Sequence, residues 1–156
     1  MRVLFMCTAN SCRSILSEAL FNHLAPEGFQ AISAGSFPKG QVLPRTLTTL
    51  QAAGIAIDGL SSKGNDSFDS SPPDIVITVC DKAANETCPV YFGPALKAHW
   101  GLEDPSEVTG DEATVAAAFH ATLAHTETRC RAFLALPFSQ LDRDALAREL
   151  ERISTL

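Results

Sequence analysis

Cys7 and Arg13 stand on either side of the short run Thr8-Ala9-Asn10-Ser11-Cys12, and Ser14 follows. The pair suggests one chemistry: a sulfur nucleophile beside a planar cation whose fork grips two oxygens of a tetrahedral anion. Small residues leading into a helix can turn successive backbone N–H groups inward, and the helix dipole adds positive potential there. That field is expected to lower the Cys7 pKa and leave the thiolate, which is the nucleophilic form. Thr8, Ala9, Asn10, Ser11, Cys12, Arg13 and Ser14 are then the anion-binding residues. A cysteine followed six positions later by an arginine is a cheap pattern, so its surroundings must decide. The bland alternative is a buried strand-end cysteine and a solvated arginine. Against it, the apolar run Val3-Leu4-Phe5-Met6 precedes the loop and an apolar-periodic segment follows, the strand, loop and helix that such a site needs.

A second pair of cysteines brackets Cys80-Asp81-Lys82-Ala83-Ala84-Asn85-Glu86-Thr87-Cys88, and Asp104-Pro105 offers a further carboxyl. Seven residues between Cys80 and Cys88 fit zinc pairs poorly, and His99 would be an improvised ligand, so no metal is expected. Two readings stay open, inert core thiols or a thiol relay with Cys7. A short helix from Asp81 through Glu86 would hold Cys80 and Cys88 about 12 Å apart at roughly 1.5 Å per residue. A disulfide needs Cα atoms within about 7 Å. On that reading the two join only if the segment unwinds, and oxidation should mobilise residues 80–98. Asp104 can protonate a leaving oxygen if it reaches the anion, and neighbouring negative charge would raise its pKa. Taken alone, its Asp-Pro reads first as a turn. Cys12 could pair with Cys7 or be only a small loop residue. Cys130, among apolar neighbours at helical spacing, reads as core, and His23, His120 and His125 show no ligand pattern.

The elements that must position these groups follow from periodicity. Leu16, Leu20 and Leu24 mark a helix over 14–24 that Pro26 and Gly28 stop. Residues 29–34 read as a second strand. Pro44 opens a helix carrying Leu47, Leu50 and Ala53, with Gly54 as its C-cap. Residues 58–73, rich in Ser, Gly and Asp, read as surface loop. Asp74-Ile75-Val76-Ile77-Thr78-Val79-Cys80 is another continuous apolar run, the mark of a strand covered on both faces and hence of a parallel sheet. Lys97 to Gly101 is a weaker strand candidate. Asp111 caps a long helix that Pro137 ends, and a last helix spans 142–153. Strands alternating with helices predict a single α/β domain over 1–156, a doubly wound parallel sheet with helices on both faces. Ligands of such sheets bind beyond the carboxyl ends of the strands, where Cys7 and Cys80 both fall.

Composition narrows the function classes. With 156 residues, 46% hydrophobic and 19% charged, the chain is long enough for its own core. No apolar run approaches a membrane span and no signal peptide precedes the first strand, so a soluble, cytoplasmic protein is expected. A net charge of -6 disfavours nucleic acid and anionic membrane as partners, and an anionic substrate must be captured locally. Five cysteines, an odd number without secretory context, are expected to be reduced thiols.

The loop Cys7-Thr8-Ala9-Asn10-Ser11-Cys12-Arg13-Ser14 resembles the phosphate-binding loop of low-molecular-weight protein tyrosine phosphatases and of the arsenate reductases built on that fold, and the resemblance runs over nearly the whole chain. It implies a small four-stranded parallel sheet, Asp104 as general acid, and Asn10 and Ser14 shaping the loop and bonding the thiolate. Cys80, Cys88-Pro89, His99-Trp100-Gly101 and Asp104-Pro105 resemble the thioredoxin-linked arsenate reductases in particular. Ordinary phosphatases of the fold usually place tyrosines after Asp-Pro, whereas here Ser106 and Glu107 follow and Tyr91 is the only tyrosine. The implied activity is arsenate reduction by Cys7, Cys80 and Cys88 in sequence, with phosphate or sulfate as site analogues. The implied reductant is thioredoxin, or glutathione with glutaredoxin, acting on a monomer without bound cofactor. Weak phosphatase activity should accompany it. A phosphomonoesterase using Cys7, Arg13 and Asp104 is the second reading, and a non-catalytic oxyanion or redox sensor the third. Some relatives bind potassium near the equivalents of Asn10, Glu18 and Ser33, but Lys63 falls where a further acidic ligand would be, so that ion is not expected.

Overall fold

Val3, Leu4, Phe5 and Met6 are all buried, at most 1% exposed, because the strand they form is covered on both faces. In a computed structural model, which describes all residues except Asp69, Ala83, Ala84, Cys88 and Phe92, this strand is β1 (Arg2–Cys7). It lies inside a four-stranded sheet with β2 (Gln30–Gly35), β3 (Ile75–Thr78) and β4 (Leu96–His99), in the order β2-β1-β3-β4. Every pairing is parallel, with Cys7 opposite Gly35, Met6 opposite Thr78, and Thr78 opposite His99. The α/β fold expected from the sequence is therefore the fold observed. The third strand is shorter than its apolar run, since the ladder stops at Thr78, although the Val79 N–H still donates to the Met6 carbonyl at 2.9 Å.

Four helices accompany the strands: α1 (Arg13–Leu24), α2 (Pro44–Ala52), α3 (Glu112–Leu134) and α4 (Arg143–Ile153). Pro44 opens α2, while Asp111 and Asp142 accept the Thr114 and Ala145 amides to cap α3 and α4. Val3, Phe5, Ile75 and Ile77 pack with Phe21 of α1, Phe133 of α3, and Leu150 and Ile153 of α4. Leu4, Met6, Ile32 and Val76 pack with Ala95 and Tyr91. Trp100, just past β4, is 2% exposed and donates its indole N–H to the Leu150 carbonyl, so its place in the motif His99-Trp100-Gly101 is structural. The described residues of 58–73 are loop with one 3-10 turn, Asn65–Phe68. Among the described residues no helix is long and apolar enough to cross a membrane.

Candidate functional site

The loop from Cys7 to Arg13 is turned inside out by its neighbours. Its carbonyls are drawn outward: Cys7 O accepts from the Ser36 amide, Thr8 O from Phe37, Ala9 O from Lys39 and Ser62, and Ser11 O from Leu43 and Thr46. The amides of Thr8, Ala9, Ser11 and Cys12 find no acceptor among the described residues. No side chain caps α1 at Cys12 either. The positive end of a 12-residue helix and a set of inward amides thus meet beside Cys7, the arrangement that receives an anion. Gly35 makes the close approach possible, because a Cβ there would lie 2.5 Å from Thr8 O.

Cys7 is 3% exposed, and its sulfur lies 3.2 Å from the Asn10 amide, which donates to it, and 2.9 Å from Ser14 Oγ. Ser14 Oγ accepts from Asn10 Nδ2 at 2.7 Å, which leaves its own proton for the sulfur. The other Nδ2 proton goes to Ser33 Oγ at 3.0 Å, and Ser33 donates to Glu18 Oε1 at 2.7 Å. A chain of oriented donors therefore runs from a buried carboxylate on α1 to the nucleophile. Asn10 holds a left-handed φ of 47°, a conformation asparagine tolerates, and the Lys63 amide fixes its side-chain oxygen at 2.9 Å. The Lys63 ammonium closes the cluster, 3.4 Å from Glu18 Oε1 and 3.3 Å from Ser33 Oγ.

Arg13 is 6% exposed and donates one bond to the Leu102 carbonyl. Its fork is engaged by Glu86, with Nη1 2.6 Å from Oε2 and Nη2 2.8 Å from Oε1, and Asp104 Oδ2 lies 3.5 Å from Nη2. Burial opposes the charge on Arg13, but the Glu86 bond and the Asp104 charge outweigh it and hold the guanidinium above its ordinary pKa. For Glu86, burial pushes the other way, and the Arg13 bond with the Asp81 amide keeps its carboxyl below the usual range. Asp104 also accepts from the Ser106 amide and hydroxyl, starting the 3-10 turn Pro105–Glu107. It is thus both the turn residue its dipeptide suggested and a carboxyl at the arginine. These groups border a cleft of about 720 Å³ lined by Thr8, Phe37, Asp81, Glu86, Thr87 and Asp104.

Cys80 is fully buried just past β3, at the same sheet edge as Cys7. Its sulfur is disulfide-bonded, whereas Cys7, Cys12 and Cys130 are free thiols. The expectation of uniformly reduced cysteines is corrected to that extent. Cys88 lies outside the described residues. The helix considered from Asp81 does not continue through Asn85. Asn85 takes a left-handed φ of 63°, its amide donates to Lys82 O, and the Glu86 amide returns to Asp81 O. That pair of bonds closes the turn and swings Glu86 back onto the site. Gly101 packs against this region, since a Cβ there would meet His99 Nε2 at 2.9 Å and Cys80 O at 3.2 Å. Burial, with the charges of Lys82 and Arg129, pushes the His99 pKa down. Cys12 packs among Leu16, Leu20, Leu50 and Phe119, and burial pushes its thiol up to about 12, which suits a packing role better than exchange with Cys7. Cys130 is fully buried, as expected of a core residue. Glu86 on Arg13 escaped the sequence reading, whereas Ser33 and Lys63, named there only for the potassium question, lie beneath Asn10. Among the described residues no cluster of His, Cys, Asp and Glu could hold a metal ion.

A thiol among inward amides at the carboxyl end of a central strand of a four-stranded parallel sheet, with an arginine opening the next helix, defines a class, and a sequence model of low molecular weight phosphotyrosine protein phosphatases matches residues 2–149. The chain belongs to that family. Proteins similar to it include arsenate reductases. The chain is 34% identical over 104 residues to the arsenate reductase of Staphylococcus xylosus, covering 67% of this chain and 78% of that one. It superposes on the arsenate reductase structure from Archaeoglobus fulgidus with a TM-score of 0.71 at 28% identity, covering 86% and 99% of the two chains. A thioredoxin-dependent arsenate reductase from Corynebacterium glutamicum gives 0.61 at 28% identity, covering 83% of this chain and 58% of that one.

Proposed function

We propose that this protein reduces arsenate to arsenite. The observation that carries the reading is the pairing of an oxyanion cradle around Cys7 with a second cysteine, Cys80, at the end of the adjacent strand. A phosphatase needs the first and has no use for the second. Arsenate seats its oxygens on the loop amides and Arg13, and the Cys7 thiolate attacks arsenic while Asp104 protonates a departing oxygen, which leaves as water. The reduced Cys80 thiolate then attacks the Cys7 sulfur. The sulfur–arsenic bond breaks with its electron pair going to arsenic, releasing arsenite and leaving a Cys7–Cys80 disulfide. Cys88 attacks Cys80 in turn, freeing Cys7 and leaving the oxidising equivalent on the Cys80–Cys88 pair. A dithiol carrier resets the enzyme by exchange. Thioredoxin is the carrier proposed, supported by the thioredoxin-dependent relative from Corynebacterium glutamicum, with glutaredoxin and glutathione the alternative. The cycle needs no bound cofactor and fits a monomer in the reducing cytoplasm.

Family membership favours a second reading, phosphomonoester hydrolysis by Cys7, Arg13 and Asp104. One experiment separates the two: NADPH consumption with arsenate, thioredoxin and thioredoxin reductase, with p-nitrophenyl phosphate hydrolysis in parallel, for wild type and Cys80→Ser. Arsenate turnover lost in Cys80→Ser while slow ester hydrolysis persists supports the relay. Brisk hydrolysis in both proteins, with no arsenate turnover on any carrier, would replace it with the phosphatase.

A further inference from the structure

We infer that Glu86 is a built-in competitor for the oxyanion site and sets its affinity. The inference rests on reading the Cys7–Arg13 loop as that site. A carboxylate presents two oxygens in one plane, the same edge that a tetrahedral oxyanion offers to a guanidinium. Glu86 takes both Arg13 Nη atoms, at 2.6 and 2.8 Å, which are the donors a substrate requires. Its seat is built rather than incidental. Asp81 N–H donates to Glu86 Oε2 at 2.8 Å, Thr8 Oγ1 stands 3.4 Å from Oε1, and the turn closed at Asn85 delivers the side chain from the segment beyond β3. Thr8 is itself a member of the anion-binding loop, so Glu86 reaches the cradle at both Thr8 and Arg13.

An arsenate, phosphate or sulfate bound on Arg13 must displace this carboxylate, because two anions cannot share one fork without repulsion. The measured affinity is the intrinsic one reduced by the fraction of molecules in which Arg13 is open. Glu86 therefore acts on binding, and its removal should strengthen the site. A purely structural role predicts the opposite sign, since loosening the turn around Thr8 and Arg13 would disorder the cradle and weaken binding.

Isothermal titration with inorganic phosphate tests this directly on wild type, Glu86→Gln and Glu86→Asp. The competitor role predicts phosphate binding up to about tenfold tighter in Glu86→Gln, if Arg13 is open in roughly one wild-type molecule in ten. Glu86→Asp, too short to hold both Nη atoms and the Asp81 amide together, should fall between. Arsenate turnover should show the same change as a lower KM without a higher kcat. Equal or weaker phosphate binding in Glu86→Gln overturns the inference and leaves the oxyanion site standing. Phosphate binding by none of the three proteins overturns the oxyanion reading and the inference with it.

Discussion

Lys63 and Glu18 illustrate how single residues set the geometry at Cys7 from a distance. The ammonium sits 3.4 Å from a carboxylate whose side chain is only 11% exposed, and that carboxylate aligns Ser33, Asn10 and Ser14 in turn. Lys63→Met should destabilise the protein by about 1–2 kcal/mol, below the cost of breaking a fully buried pair because Lys63 is partly solvated. Urea denaturation measures it, and Glu18→Gln in the same background should recover part of the loss; strictly additive losses would show the pair uncoupled. At the other end of the chain, Ser14→Ala removes a donor to the sulfur and an acceptor for Asn10. Its kcat for arsenate should fall roughly tenfold or more with little change in KM, since that bond acts on the reacting sulfur and not on the anion. An unchanged kcat would take Ser14 out of the chemistry.

Two close approaches hold the site together at the scale of elements, Gly35 at the end of β2 and Gly101 after β4. Gly35→Ala would place a methyl 2.5 Å from Thr8 O and 2.9 Å from the Asn10 amide. Both contacts are backbone, so the loop must move. Phosphate binding should be lost in a protein that remains folded at reduced Tm, and retention of wild-type affinity would show that the cradle tolerates the shift. The same contrast of local and distant contacts explains what could be read from the sequence. The course from β1 through the loop to α1 was legible because an apolar run, a small-residue loop and a helical period follow one another along the chain. Leu96–His99 was faint because an edge strand is only partly buried and shows no continuous apolar run. The left-handed turn at Asn85, which ends the helix considered from Asp81, is a choice asparagine permits but does not announce in the sequence. The Glu86 contact with Arg13 and the Lys63 ion pair with Glu18 escape the sequence for another reason. Their partners lie 73 and 45 positions away, and only the sheet order brings them together.

For the whole molecule the alkaline limit of stability follows from two thiols that the fold keeps protonated. Cys12 and Cys130 are buried, and burial pushes each from an ordinary 9.0 up to about 12. A group whose folded pKa is raised contributes stability that is complete below the unfolded value and is lost as pH rises toward the folded one. Between pH 9 and 12 the unfolded chain therefore releases protons that the native state keeps, and stability falls. One unit above the unfolded pKa each thiol costs about 1.4 kcal/mol, so the pair removes roughly 3 kcal/mol between pH 8 and pH 10. That is a large share of the roughly 5–15 kcal/mol that holds a domain folded. Other groups also titrate in this range, so the decisive quantity is a difference between proteins. Cys130→Ala will be less stable at pH 8, because a fully buried side chain is truncated, but its loss from pH 8 to pH 10 should be smaller than that of wild type by about 1 kcal/mol. Urea denaturation at the two pH values under reducing conditions measures both slopes. Parallel slopes would mean that Cys130 ionises as readily in the folded protein as in the unfolded chain.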